Sequence, residues 1–121
     1  MKSSNLVNFL FEATALKRLH RTGWQILGDN QESIAEHIFM VCVISYVLAN
    51  LSKANMEKTL IIALFHDFEE SRTGDVYKLA DLYTKTDKKK AVRDAFSNLP
   101  QSDKILKLLQ QLIVKLHKYF Y

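Results

Sequence analysis

The stretch LFHDFEE, residues 64–70, decides how this chain should fold and where its chemistry should lie. It continues an apolar segment with helical spacing and places His66 beside Asp67 within that segment. Burying an imidazole or a carboxylate without a partner costs on the order of several kcal/mol, which is comparable to the stability of a whole small domain. Both groups are good ligands for a divalent metal. The stretch therefore predicts a helix that carries a metal site.

A second histidine, His37, lies in another apolar segment, which begins with SIAEH at residues 33–37. Ser33 followed three residues later by Glu36 is typical of a helix N-terminus. This places His37 in the first turns of a helix, facing the core. The spacing predicts that the inward face of this helix is formed by His37, Val41, Ile44, Leu48 and Leu51.

Asn55 predicts the start of a third helix, which should end near Thr73-Gly74. Residues three and four apart share one face of a helix. Glu70 follows His66 by four residues and Asp67 by three, so all three side chains should border one pocket. His37 would then come from the neighbouring helix, as is common for metals held inside helical bundles.

The composition predicts an all-α fold, a compact bundle of about five to six helices in a single domain spanning residues 1–121. The chain has 121 residues with only three glycines and one proline, and it shows no convincing strand alternation. Besides the two helices around the predicted site, the pattern predicts helices over about residues 5–20, from Asp75, over 87–96 and from Ser102.

Several classes of function receive no support from the sequence. Cys42 is the only cysteine, so there is no internal disulfide, and with no signal peptide we expect a cytoplasmic protein. The apolar runs 38–44 and 60–65 are too short to span a bilayer. The net charge of +4 is concentrated late in the chain and gives no strong nucleic-acid or membrane signal. A membrane- or nucleic-acid-binding role for the cationic last helix is a minor alternative.

Each candidate residue also has an explanation without chemistry. His37 could be a satisfied core histidine, and Asp75 could serve only as a helix cap. The remaining ones could be surface charges or a packed turn: Glu69, Glu70, Arg21 and Trp24. These explanations are independent of one another, and all of them would have to be true at once. The presence of all these residues in one chain therefore favours a site.

The ordered set of SIAEH at 33–37, HDFEE at 66–70 and TGD at 73–75 resembles the HD-domain metal-dependent phosphohydrolases. The closest branch is the small 5′-deoxynucleotidase-like proteins, and the resemblance extends over about residues 6–109. It implies an HD-domain-like helical fold. It also implies a phosphoric monoester hydrolase, acting on a nucleoside 5′-monophosphate or a similar small phosphomonoester.

The resemblance also implies a role for each matching residue. One divalent metal ion would be bound by His37, His66 and Asp67, its identity open among Mn, Co, Mg, Ni, Fe and Zn. Glu70 would act beside Asp67 as the catalytic acid/base or water-positioning group. Contacts to the substrate would come from Arg21 to the phosphate, Trp24 to the pocket wall and Asp75 to the sugar.

The C-terminal region departs from the family pattern. The family has a fourth ligand, an aspartate, in a run resembling Ile-Val-Lys-Asp-Ala-Asp, whereas residues 113–118 read IVKLHK. We therefore expect the domain to lack the segment that carries this ligand. The alternative function is a truncated, catalytically impaired HD scaffold that acts through metal binding or protein association. The wide apolar face of the last helix then predicts a homodimer.

Overall fold

A computed structural model describes residues 3–21, 32–74, 83–85, 87–97, 99–100 and 102–120, with side chains described between residues 5 and 112 of these ranges. Six helices lie there: α1 (Ser3–Ala15), α2 (Ile34–Ser52), α3 (Met56–Phe65), α4 (Glu70–Thr73), α5 (Lys88–Phe96) and α6 (Ser102–Phe120). Within these ranges, the β-type pairing consists of one isolated bridge. The predicted all-α bundle is confirmed, while the segment expected from Asp75 lies outside the described residues.

Helix α1 is shorter than predicted, and the chain after it pairs with the start of α2. The helix ends at Ala15 instead of continuing to His20, and a tight turn follows. His20 then forms an antiparallel bridge with Ser33. On either side of this bridge, the Arg21 N–H donates to the Glu32 carbonyl at 3.0 Å, and the Ile34 N–H donates to the Leu19 carbonyl at 2.7 Å. This pairing holds Arg21 beside the N-terminus of α2.

The start of α2 is capped as its sequence predicts. The Ser33 hydroxyl accepts a hydrogen bond from the Glu36 N–H at 3.1 Å and donates one to Glu36 Oε1 at 3.0 Å. Such a cap satisfies backbone donors that have no partner inside the helix. The cap therefore fixes where α2 begins and places His37 in its first turn.

The inward face predicted for α2 is wrong over most of its length. Ile34, Ile38 and Ala49 are buried, while three members of the predicted stripe are exposed: Ile44, Leu48 and Leu51. The helix carries apolar side chains on nearly every side, so their spacing could not indicate which side faces the core.

Helix α2 also exposes an unusually apolar surface. Eight large side chains on it are between 41% and 76% exposed: Phe39, Met40, Val43, Ile44, Tyr46, Val47, Leu48 and Leu51. By length and composition alone, this 19-residue helix is long and apolar enough to cross a membrane, although core helices of soluble proteins pass the same test. The apolar run 38–44 covers only part of α2, so its length underestimates how apolar the whole helix is.

Helix α3 begins as predicted but ends early. Asn55 Oδ1 accepts from the Lys58 N–H at 2.9 Å, and the helix stops at Phe65 instead of near Thr73-Gly74. A turn over residues 66–69 follows, and then the single turn of α4. The prediction of one continuous helix is therefore wrong.

Two contacts account for the break after Phe65. The His66 imidazole donates through Nδ1 to the Ala63 carbonyl at 2.8 Å, which is the carbonyl that the Asp67 N–H would use in a continuing helix. Phe68 turns into the core, where its ring stacks on Phe9 with centroids 4.8 Å apart. The turn ends at Gly74, which closes α4 with a φ of 72°, a conformation that favours glycine.

The core lies where α1, α2, α5 and α6 meet the turn after α3. Phe68 and Phe96 are packed with ring centroids 5.3 Å apart, and Phe96 is fully buried. Ile105, Leu108 and Leu109 of α6 are buried as well. The apolar face of α6 is thus covered within the chain at these three positions, while the rest of the face predicted for association, from Ile113 onward, lies outside the described side chains.

Candidate metal centre

The site is built from the first turn of α2 and the turn after α3. His37 Nε2 lies 3.3 Å from Asp67 Oδ2, and His66 Nε2 lies 3.0 Å from the same oxygen. In the described part of the chain, these residues form a cluster whose ligand atoms all lie within 4.8 Å of one another. Their side chains are 20%, 23% and 25% exposed, so the cluster is partly accessible to solvent.

The donor set fits a divalent metal ion. Two ligands about 2.0 to 2.2 Å from one ion, at tetrahedral or octahedral angles, lie about 2.8 to 3.6 Å apart, and both histidine-to-aspartate distances fall in that range. The second nitrogen of each ring also faces an acceptor. His66 Nδ1 donates to the Ala63 carbonyl, and His37 Nδ1 lies 3.8 Å from Glu32 Oε1. This arrangement leaves both Nε2 atoms directed at the cluster.

Charge accumulates around Asp67. Burial favours the neutral carboxyl, but the hydrogen bond and charge of His66 outweigh it, helped by the charges of His37 and Arg21, and the pKa of Asp67 is lowered. Asp67 is therefore ionised at neutral pH. A cation would be well placed where two imidazole nitrogens approach one carboxylate oxygen.

The two histidines respond differently to this setting. Burial disfavours the charged form of His66, but the hydrogen bond and charge of Asp67 prevail and raise its pKa. For His37, burial and then the nearby Arg21 guanidinium lower the pKa, despite the attraction of Asp67. A metal ligand must be neutral, so His37 is the better prepared of the two.

Arg21 lies at the edge of the cluster, close enough for its charge to lower the pKa values of both His37 and Asp67. Its position follows from the backbone pairing with Glu32. A guanidinium beside a candidate metal site is well suited to a phosphate ester, because its fork of N–H groups matches two phosphate oxygens.

Glu70 is the first residue of α4, and the cluster of His37, His66 and Asp67 does not include it. Because α3 ends at Phe65, Glu70 follows His66 and Asp67 through a turn and does not share one helix face with them, contrary to the prediction from the sequence. Helix α4 is tied to α1 by a polar contact: Glu12 accepts from Ser71 Oγ at 2.8 Å and pairs with Arg72 Nε at 2.6 Å.

Glu69 is a buried carboxylate on the same turn, only 6% exposed. Burial and then the neighbouring Asp67 charge raise its pKa. Its Oε2 atom has no hydrogen-bond partner among the described residues. The sequence had suggested a surface charge here, and the structure contradicts that alternative.

The structure thus brings together His37, His66, Asp67 and Arg21 from the predicted set. Trp24 and Asp75 lie outside the described residues. Sequence reasoning did not identify Glu32, which faces His37, or Glu12, which ties α4 to α1. Glu32 could have been found from its position directly before the cap residue Ser33, whereas no local sequence pattern singles out Glu12.

The chain also matches a known protein family over most of its length. The family described as the HD domain matches residues 13–118, which is most of the chain. The chain belongs to the HD domain family. Proteins similar to it include the 5′-deoxynucleotidase hdd1 of Schizosaccharomyces pombe, 40% identical over 76 residues, which cover 62% of this chain and 38% of that protein. The 5′-deoxynucleotidase HDDC2 of Homo sapiens is 30% identical over 98 residues, covering 80% of this chain and 47% of that protein.

Two solved structures are also similar to this chain. A conserved hypothetical protein from Pyrococcus furiosus is similar with a TM-score of 0.66 and 30% identity, covering 93% of this chain and 83% of that chain. A second solved structure has a TM-score of 0.73 and 33% identity, and the match covers 88% of this chain and 68% of that chain. The chain spans less than half the length of the two curated relatives described above.

Proposed function

We propose that this protein is a metal-dependent phosphohydrolase acting on a nucleoside 5′-monophosphate or a similar small phosphomonoester. One observation carries the proposal: the Nε2 atoms of His37 and His66 converge on one oxygen of Asp67. The arginine beside this cluster supports a phosphate-bearing substrate. The curated relatives named 5′-deoxynucleotidases support the nucleotide class.

In this proposal, His37, His66 and Asp67 hold one divalent metal ion of the kind the family uses. Such an ion neutralises charge on phosphoryl oxygens and lowers the pKa of a water molecule. Arg21 binds the phosphate through its guanidinium and orients it toward the cluster. Glu70 positions water or carries the proton, Trp24 forms part of the pocket wall and Asp75 contacts the sugar.

The direct test is release of phosphate from deoxynucleoside 5′-monophosphates with Mn²⁺ or Co²⁺ present. We expect turnover by the unmodified chain and its loss in His66→Ala. His20→Ala is a matched control, because this histidine has an exposed side chain and lies outside the cluster. No turnover with any divalent metal would contradict the proposal.

A homodimer is a second proposal, and the exposed face of α2 favours it. About half the surface of its eight large apolar side chains, each on the order of 200 Å², amounts to about 800 Å². This is about the area per partner of a stable interface. The same face would serve the alternative function of the chain as an impaired scaffold that acts through association.

Sedimentation equilibrium tests the α2 interface. We expect a dimer for the unmodified chain and a monomer for Val47→Lys, because a charge in the centre of this face cannot be buried without a partner. Leu10→Lys places the same charge on an exposed leucine of α1 and should leave the dimer intact. A strictly monomeric unmodified chain would contradict this proposal.

We also propose a cytoplasmic, reducing location. Cys42 supports it, because it is the single cysteine of the chain and burial raises the pKa of its thiol, which keeps it protonated and unreactive. Quantifying the free thiol in protein isolated under non-reducing conditions tests this, and a mixed disulfide at Cys42 would contradict it.

A further inference from the structure

Two histidines face the same carboxylate, but different groups support them from behind. His66 Nδ1 donates to the Ala63 carbonyl within its own turn of backbone, at 2.8 Å. His37 Nδ1 instead faces the carboxylate of Glu32, with Oε1 at 3.8 Å. The support of His66 is therefore a neutral dipole, and that of His37 is a charge.

We infer that Glu32 is a positioning residue for the metal centre, holding the His37 ring so that its Nε2 faces the ligand cluster. This inference rests on the proposed function, since it assumes that His37 binds a metal. It adds a role for a residue outside the ligand set.

The chemistry of an imidazole ligand explains why a carboxylate would matter at this position. When one ring nitrogen binds a cation, the N–H on the other nitrogen becomes a stronger donor, and a carboxylate facing it is attracted more strongly. A carboxylate there also raises the basicity of the ligating nitrogen. The Glu32 carboxylate is 26% exposed, so water only partly screens its interaction with His37.

Glu32 also connects the metal centre to the candidate phosphate-binding residue. Its backbone carbonyl accepts from the Arg21 N–H at 3.0 Å, next to the bridge between His20 and Ser33. The same residue therefore supports His37 with its side chain and Arg21 with its backbone. A side-chain substitution removes the first contact and leaves the second, so the two roles can be separated by experiment.

Metal affinity, measured by titrating the metal-free chain with Co²⁺, tests the inference. Removal of such a supporting group costs on the order of 10- to 100-fold in metal affinity, so we expect a loss in this range for Glu32→Ala. Glu32→Gln retains an acceptor oxygen and should show a smaller loss. Glu36→Gln is the matched control, since it removes the same charge from the first turn of α2 and should bind within about twofold of the unmodified chain.

Urea unfolding of the metal-free variants distinguishes positioning from a structural role. We expect the midpoints of Glu32→Ala and the unmodified chain to coincide, because the contact gains its strength from the bound cation. Weaker Co²⁺ binding accompanied by an equally lowered midpoint would overturn the inference. Unchanged affinity in both Glu32 variants, with binding still abolished by His66→Ala, would overturn it while leaving the proposed function intact. Failure of the unmodified chain to bind Co²⁺ would overturn both.

Discussion

The two halves of the candidate metal centre are assembled in different ways. His66 and Asp67 are neighbours on one turn, and that turn is held by the local bond to Ala63 and by Phe68 in the core. His37 and Arg21 are brought together by a backbone pairing around Glu32. The first half thus depends on core packing, whereas the second depends on hydrogen bonds and charge. Substitutions in the first half should therefore mainly lower stability, whereas substitutions in the second half should mainly weaken binding.

Removing the core anchor of the first half should have the largest effect. Phe68 is 4% exposed and stacks on Phe9, so Phe68→Ala leaves a cavity and should lower the free energy of unfolding by about 3 to 5 kcal/mol. Phe11→Ala is the matched control, because that ring on α1 is 69% exposed and lies outside the α2 face, and the change should be within about 0.5 kcal/mol. Chemical denaturation measures both, and similar losses would contradict the packing account.

Arg21→Ala tests the second half and should act on substrate binding more than on folding. Losing a charged hydrogen-bond donor to a phosphate costs about 1.5 to 3 kcal/mol, which corresponds to roughly a 10- to 100-fold rise in KM. Arg21→Lys should restore part of the loss, because lysine keeps the charge without the fork. Steady-state kinetics with metal present give the answer. An unchanged KM would remove Arg21 from the phosphate site.

Glu12→Gln weakens the tie between α1 and α4 next to the first half. The charge-assisted bonds to Ser71 and Arg72 lose strength, and the free energy of unfolding should fall by about 1 kcal/mol. The control is Glu57→Gln, which breaks a fully exposed ion pair with Lys104 and should cost clearly less than Glu12→Gln. Equal losses in the two variants would show that burial of Glu12 contributes nothing.

Glu69→Gln should have the smallest effect, and it should depend on pH. The pKa of Glu69 is raised in the folded chain above its ordinary value of 4.5. A carboxyl of this kind destabilises the fold as it ionises, so its penalty is absent at low pH and grows as pH rises through the folded pKa. Glu69→Gln should thus stabilise the metal-free chain at about pH 7 but not at about pH 3.5. Thermal melts at both pH values check this, and a gain at the lower pH alone would contradict it.

The sequence was sufficient to predict the local features of the fold. Ser33, Asn55 and Asp87 each cap the helix that follows, because an oxygen-bearing side chain just before a helix can satisfy its free backbone donors. The residue types of the candidate metal centre could be predicted too, since His66 and Asp67 are out of place in an apolar segment.

Features that depend on distant contacts could not be predicted. The break after Phe65 depends on Phe68 packing against Phe9 and Phe96, residues far away in the sequence. The buried side of α2 was not predictable, because apolar residues surround the helix. The bond from Ser71 to Glu12 joins residues 59 positions apart, and no local pattern indicates it.

The central claim is that His37, His66 and Asp67 together bind one divalent metal ion. Anomalous diffraction at the manganese edge, from crystals grown with Mn²⁺, tests it most directly. We predict one peak bonded to His37 Nε2, His66 Nε2 and an Asp67 carboxylate oxygen, at about 2.0 to 2.3 Å from each. A peak elsewhere on the chain, or no peak at this cluster, would contradict the claim.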